Sequence, residues 1–365
     1  MKKSLLFAGL SAIALTACVN DETFSIEQQE QLQAMRFDAP AMKQTRANVM
    51  GEITGVQYDA REDFMVYAKY YKGDFESWTA TGVEDYFNAL GDTAKNEGNA
   101  SKYWSTSTTY YWPDLEYNLA FAAYSPADLD IEDPSLSISH TEKGLQIKNF
   151  TTQANANKQY DLMYSDRVID RNKNNNGHSA VPLMFQHALS SIVFSTEKED
   201  DAVDYVITDL KLHGTFVQKA DFNQNIDEGQ NLTSGIAKWE NPATATAANF
   251  APSFDEVEVT TVPTQFTQKE SALLLIPQGV PSDAAITVNY KKIINPDDPA
   301  TKKEMENEVT IKLSDFAQEN GNKINTWEMG NRYIYRIAFG QNKRIYFEPS
   351  TTDWGLVPTL IYVIQ

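Results

Sequence analysis

An all-β protein built as two tandem β-sandwiches is what this sequence predicts, and three observations carry the prediction. Past Arg46 the chain runs in short stretches of alternating apolar and polar residues rich in Tyr, Phe, Val and Ile, the pattern of half-buried strands. Long helical periodicity is hard to find. The 365 residues are 42% hydrophobic and 12% aromatic, which supplies apolar material for two cores.

The first element is a signal. Lys2 and Lys3 precede an apolar run that ends in Leu15-Thr16-Ala17-Cys18. A charged start, an apolar core of roughly ten residues and small residues before the cut describe a signal peptide over residues 1–17; a spanning helix needs about 20 apolar residues. Cys18 is the only cysteine, so no intramolecular disulfide can form, and its thiol is the expected site of diacylation and the new N-terminus. An ordinary secretory signal ending near a cysteine is the alternative. No later segment is long and apolar enough to cross a bilayer as a helix.

Residues 18–46 read as a polar arm, rich in Glu and Gln from Glu27 to Gln33. A first sandwich is expected over residues 47–175, with strands such as Phe64 to Ala68 and Leu119 to Tyr124. The block Asp170 to Gly177, with Asn174, Asn175 and Asn176 in succession, favours turns and reads as a domain junction. A second sandwich over residues 176–365 begins with Val181 to Thr196. It continues through Tyr205 to His213, Ala272 to Ile276, Ile286 to Lys291, Val309 to Leu313, Tyr333 to Phe339 and Arg344 to Phe347. The interval Asn223 to Phe254 is poor in large aliphatics and reads as a long excursion from the sheet.

Composition and motifs exclude several classes. A formal charge of -19 argues against a nucleic-acid partner, which requires clustered Lys and Arg. His140, His178, His187 and His213 show no ligand spacing, and no nucleophile elbow, P-loop or dinucleotide fingerprint occurs. No cofactor, no metal and no enzymatic activity are expected. His187, in an apolar strand, reads as a satisfied core or edge residue. Tyr110-Tyr111-Trp112 reads as core, with a sugar-stacking platform as the other reading. Asp221 to Asp227 begins like a calcium loop, but Ile226 stands where glycine is required and Leu232 where a bidentate Glu belongs, so a polar hairpin tip is expected.

Several motifs in order resemble the fimbrillins of Bacteroidales: Thr45-Arg46-Ala47, Tyr111-Trp112-Pro113 followed by Leu119 to Pro126, and Phe185 to Ser190. Gly330 to Tyr335 and Asp353-Trp354 complete the set. The resemblance spans nearly the whole chain from Cys18. It implies a pilus subunit of the donor-strand type with two transthyretin-like sandwich domains, exported as a lipoprotein and serving surface adhesion. It also implies an Arg-specific surface protease as a partner, other fimbrial subunits as strand-exchange partners, and attachment to outer-membrane lipid through Cys18. Asp21 and Glu22 resemble the acidic export signal of such lipoproteins, and Asp92-Thr93-Ala94 resembles a short O-glycosylation site. The implied location is the outer membrane, the cell surface and the fimbrium.

Cleavage between Arg46 and Ala47 would remove the arm and any strand it contributes, leaving an edge on which another chain can add a strand. Leu360, Ile361, Tyr362, Val363 and Ile364 form the donor candidate, apolar on both faces as a strand buried between layers should be. The competing readings are a solvated Arg46 in a linker, cleavage at Arg36, and a C-terminal strand that stays in its own domain. In function, the alternative is a lipid-anchored module that binds carbohydrate or host protein and never polymerises.

Overall fold

A computed structural model describes residues 34–39, 63–73, 82–98, 101–114, 116–129, 133–141, 144–176, 180–199, 201–225, 236–267, 271–316, 323–340, 355–356 and 360–364. The first half supplies β1 (Phe37–Asp38), β2 (Phe64–Lys72), β3 (Glu84–Asp85), β4 (Asp92–Asn96), β5 (Tyr103–Thr106) and β6 (Tyr117–Ser125). It continues with β7 (Ser137–Thr141), β8 (Gly144–Thr151), β9 (Met163–Ser165), β10 (Val168–Arg171), β11 (Val181–Pro182) and β12 (Phe185–His187).

Ten of these strands form one sheet in the order β11-β1-β5-β4-β2-β6-β9-β12, with β3 on β2 and β10 on β6. Its two end strands are separated in the chain only by Leu183 and Met184, so the sheet curls until its ends meet. Alternation then fixes what lies inside. Phe64, Val66 and Ala68 of β2 and Leu119, Phe121 and Ala123 of β6 point into the closed sheet, where they join Phe37, Trp104 and Phe185. The opposite parity, Tyr67 and Tyr124 with Tyr164 of β9, faces a second sheet across another core. That double burial is why Leu119 to Tyr124 carries no polar residue.

The second half supplies β13 (Ser190–Lys198), β14 (Val203–Phe216), β15 (Lys219–Asn225), β16 (Ile236–Glu240), β17 (Thr246–Phe250), β18 (Val257–Glu258), β19 (Thr264–Gln265) and β20 (Leu273–Leu275). After these come β21 (Gln278–Gly279), β22 (Ala285–Ile294), β23 (Lys303–Lys312), β24 (Thr326–Trp327), β25 (Asn331–Phe339), β26 (Gly355–Leu356) and β27 (Leu360–Ile364). One sheet runs β19-β13-β25-β26, with β20 on β13 and β27 on β25. A facing sheet runs β17-β14-β22-β23, with β18 on β14. Ile192, Phe194, Tyr335 and Ile337 from the first meet Ile207, Leu210, Ile286 and Val288 from the second. Buried within them, the Trp327 indole N–H donates to the Tyr335 hydroxyl at 3.0 Å, so the ring is placed without an orphaned donor.

The fold is therefore all-β, with sheets layered face to face as the alternation predicts. Two features differ from the sequence reading. The interval read as an excursion contains β16 and β17, and the β15–β16 hairpin returns to the first half, where β15 pairs with β8 in the order β16-β15-β8-β7. Phe222 packs on Tyr164 at 4.9 Å between ring centroids, and the Trp239 indole donates to the Ala188 carbonyl at 2.7 Å. The run Val181 to Thr196 is three strands, because Val181 pairs with Phe37 and Phe185 with Ser165 in the first sheet, and only Ser190 onward joins the second half.

The Asn block is held by its own side chains. The Asn172 side-chain oxygen accepts from the backbone N–H groups of Asn174 and Asn175, and the Asn175 side chain donates to the Asp170 carbonyl at 2.6 Å. Asparagine favours turns because its amide replaces backbone partners, and here it closes a four-residue helix, Lys173–Asn176.

Candidate functional site

The arm places one strand inside the first sheet. β1 lies between β5 and β11, antiparallel to the former (Phe37 opposite Trp104) and parallel to the latter (Phe37 opposite Val181). Met35, Phe37 and Ala39 are 3%, 0% and 1% exposed, so the inward positions of this short segment are fully withdrawn from water. Phe37 sits edge-on among Phe64, Phe87 and Phe121, at 6.3, 6.4 and 5.8 Å between ring centroids. Backbone bonds hold both edges: Met35 N–H to the Tyr110 carbonyl at 2.8 Å, Val181 N–H to the Arg36 carbonyl at 2.8 Å, and Leu183 N–H to the Asp38 carbonyl at 2.7 Å. Burial of Met35 and Phe37 contributes about 1.5 to 3 kcal/mol each before ordering entropy is subtracted. Without this segment, β5 and β11 lose their shared partner and the Phe64, Phe121 and Trp104 side of the core loses its cover.

Arg36 points outward, its guanidinium 4.9 Å above the Tyr103 ring and 4.0 Å from the Glu97 carboxylate. Its neighbours are buried and its peptide is paired, so a protease needing an extended, accessible substrate does not reach it in the fold. Cys18, Arg46, Ala47, Asp353 and Trp354 lie outside the described residues, as does the run Arg344 to Phe347. The candidate donor, Leu360 to Ile364, is β27 and runs parallel to β25 in its own chain, with Leu360 opposite Tyr335 and Ile364 opposite Phe339.

The other singled-out residues do not converge on one place. The His187 Nδ1 lies 2.8 Å from the Asp161 carboxylate, His213 contacts the Thr287 hydroxyl at 3.0 Å, and His140 is buried against the Tyr67 ring. Burial, with Arg167 and Lys69 nearby, holds the His140 pKa well below the usual histidine value. His178 lies outside the described residues. Trp112 packs edge-on with Phe121 at 6.2 Å and Tyr110 stacks on Phe87 at 4.0 Å, as core residues do, while Tyr111 is 41% exposed. Asp221 is in strand β15, where its carboxylate accepts from the Asn149 N–H and the Asn241 side chain, both at 2.9 Å; Ile226, Asp227 and Leu232 are outside the described residues. Among the described residues no group of acidic, His or Cys side chains is placed to hold a metal ion. Thr93 is mid-strand in β4, next to fully buried Ala94.

One half-buried carboxyl stands out chemically. Burial pushes the Asp166 pKa up to about 6, against a lowering bond from the Gln186 side chain at 2.5 Å.

Sequence reasoning did not single out β1. The signal is present as Met35-x-Phe37-x-Ala39, an alternation of three apolar residues inside a polar arm, but it is too short to stand out from a linker.

Comparison with known proteins accords with this architecture. No curated protein matches the chain. A solved fimbrial protein from Bacteroides vulgatus superposes with a TM-score of 0.56 at 15% identity, covering 84% of this chain and 95% of that one. A putative cell adhesion protein from Bacteroides uniformis is similar over 85% and 93%, at 14% identity and a TM-score of 0.47. The family model described as fimbrillin-like matches residues 45–354. With the layered all-β fold in place and that match running from beside Arg46 to Trp354, the chain belongs to the fimbrillin-like family, a family of structural proteins and not of enzymes.

Proposed function

We propose that this chain is a fimbrial subunit exported as a lipoprotein through Cys18, that cleavage after Arg46 releases the arm with its β1 strand, and that a neighbouring subunit's C-terminal strand refills the slot. The observation that carries the reading is the burial of Met35, Phe37 and Ala39 in an arm that is otherwise polar. A short strand ahead of a candidate cut site is a removable piece of sheet, and its loss leaves two adjacent strand edges for an incoming strand to bridge. Other subunits, an Arg-specific protease and outer-membrane lipid are the partners, and the surface fimbrium is the location. The tandem division near residue 175 belongs to the same proposal, with Val181 to His187 and the β15–β16 hairpin as pieces exchanged across it.

Treatment of the precursor with an Arg-specific protease tests this. A ladder of detergent-resistant oligomers is expected, absent from Arg46→Ala and from a chain lacking residues 359–365. Complete cleavage at Arg46 with protein that stays monomeric over a range of concentrations overturns it. The second reading, a lipid-anchored binding module that never polymerises, is favoured by one observation: β1 and β27 both pair within their own chain.

A further inference from the structure

β7 ends the four-stranded sheet that faces the first one, and β8 is its one strand partner there. On it His140 stands opposite Leu145 and turns inward, where its ring lies 5.5 Å from the Tyr67 ring of β2. His140 is 7% exposed, and neither ring nitrogen has a hydrogen-bond partner. A buried imidazole N–H without an acceptor costs stability, and a phenyl ring would fill the place without that cost. Packing alone therefore does not account for a histidine at this position.

The charged groups acting on the ring have one sign. Lys69 stands two residues from Tyr67 on the same face of β2. Arg167, between β9 and β10, is 2% exposed and donates from Nη2 to the carbonyl of Thr141, the residue after His140, at 3.2 Å. Both disfavour a proton on His140. The acidic groups on the neighbouring elements are committed elsewhere: Asp85 of β3 to Lys69 at 2.6 Å, Asp170 of β10 to the Tyr71 hydroxyl at 2.7 Å, and Asp166 to the Gln186 side chain. From β8 and β15 the inward residues are the apolar Leu145, Ile147 and Phe222. His187, by contrast, has the Asp161 carboxylate at 2.8 Å to balance a proton, and His213 is half-buried beside a hydroxyl.

Protonation would set a desolvated imidazolium beside a guanidinium and an ammonium, with no carboxylate among the described residues bonded to it. An unbalanced buried charge favours any opening that returns it to water. β7 supplies that opening, because it is a five-residue edge strand with one neighbour in its sheet. Burial and the two cations hold the folded pKa well below the ordinary 6.5, so an opened chain takes up the proton first. The ring's contribution is whole above that value and is lost as pH falls below it. Asp166 responds in the opposite direction, since acid favours its buried neutral form.

We infer that His140 is an acid-sensitive latch: neutral, it holds the β7 edge against Tyr67, and protonated beside Arg167 and Lys69 it releases that edge and loosens the joint between the two sheets. The inference stands whether or not the arm strand is exchanged, because it uses neither β1 nor β27.

Hydrogen exchange of the full chain, read by mass spectrometry, tests it. After correction for the intrinsic rate, the amides of β7 and those of β8 bonded to it should exchange about tenfold or more faster at about pH 5 than at about pH 7.5, while β13 and β25 show no such change. His140→Phe keeps the ring contact and cannot take a proton, so it should abolish the acceleration. Lys69→Met should reduce it by removing one of the two cations. In the wild type, the His140 ring, assigned by NMR through its contact with Tyr67, should still be neutral at about pH 6, below the ordinary histidine value. Exchange in β7 that ignores pH over this range, or an equal acceleration in His140→Phe, would overturn the inference. So would a His140 ring that titrates at its ordinary value while β7 stays protected, a result that needs no variant to fold.

Discussion

Phe37, carried in by a polar arm, packs edge-on against Phe121 of the central strand β6, with 5.8 Å between ring centroids. One aromatic ring thereby ties a segment ahead of the predicted cut site to the middle of the first core. The contact is non-local, so it survives only while the arm stays covalently attached or strand-paired.

Phe37→Ala should lower the stability of the first half by about 3 to 5 kcal/mol, the range for deleting a fully buried aromatic ring. Urea unfolding followed by tryptophan fluorescence would measure it through Trp104, which pairs with Phe37 across β1 and β5. A change below about 1 kcal/mol would mean the slot collapses around the loss and is not a rigid receptor.

Gly144→Ala should weaken the joint between the two halves. Gly144 has φ of +117°, and an added Cβ would lie 2.5 Å from the Gln224 carbonyl oxygen on the partner hairpin. Backbone strain of this kind costs about 1 to 3 kcal/mol. Hydrogen exchange should show faster amides in β8 and β15 and unchanged protection in β13 and β25.

Clipping at Lys173, in the Asn-rich turn, should yield two bands on a denaturing gel and a single peak on gel filtration. The pieces share the β8–β15 ladder and the β1–β11 pair, so the nicked halves stay together. Separation into two independent species would show that the shared sheet contributes little.

Asp166 predicts a pH dependence. Its folded pKa of about 6 stands above the ordinary value of 3.8, because burial disfavours the charged form. Its contribution to stability is therefore fully present below about pH 4 and is lost as pH rises through about 6, since ionisation then favours the unfolded chain. Asp166→Asn, which keeps an oxygen for the Gln186 amide, should gain on the wild type by on the order of 1 to 2 kcal/mol between pH 4 and pH 7, discounted for partial solvent screening.

How much of this was legible depends on range. Alternation in Phe64 to Ala68 and the two-faced apolar run Leu119 to Tyr124 are local signals, and both became central strands of the first sheet. Trp112 and Tyr110 were legible as core for the same reason. The pairing of β11 with β1, and the return of the β15–β16 hairpin so that β15 pairs with β8, join distant segments, which periodicity cannot assign. The register break in β14, where Ile207 pairs with Tyr290 and Asp209 with Asn289 and Thr208 is left over, was equally invisible, because an extra residue in a long strand shows only against its partner's register. Met35, Phe37 and Ala39 fell between these cases, a genuine alternation shorter than the window that distinguishes a strand from a linker.

The claim at the centre is that a neighbour's C-terminal strand takes the place of β1, and site-specific crosslinking tests it most directly. In a Cys18→Ser background, one population carries Tyr103→Cys, on β5 opposite Asp38, and the other carries a cysteine at position 361 or 363. Mixed and oxidised after Arg-specific cleavage, the two should form an intermolecular disulfide at one of the donor positions, and none before cleavage. Full cleavage at Arg46 with no crosslink at either donor position would contradict strand exchange at this slot.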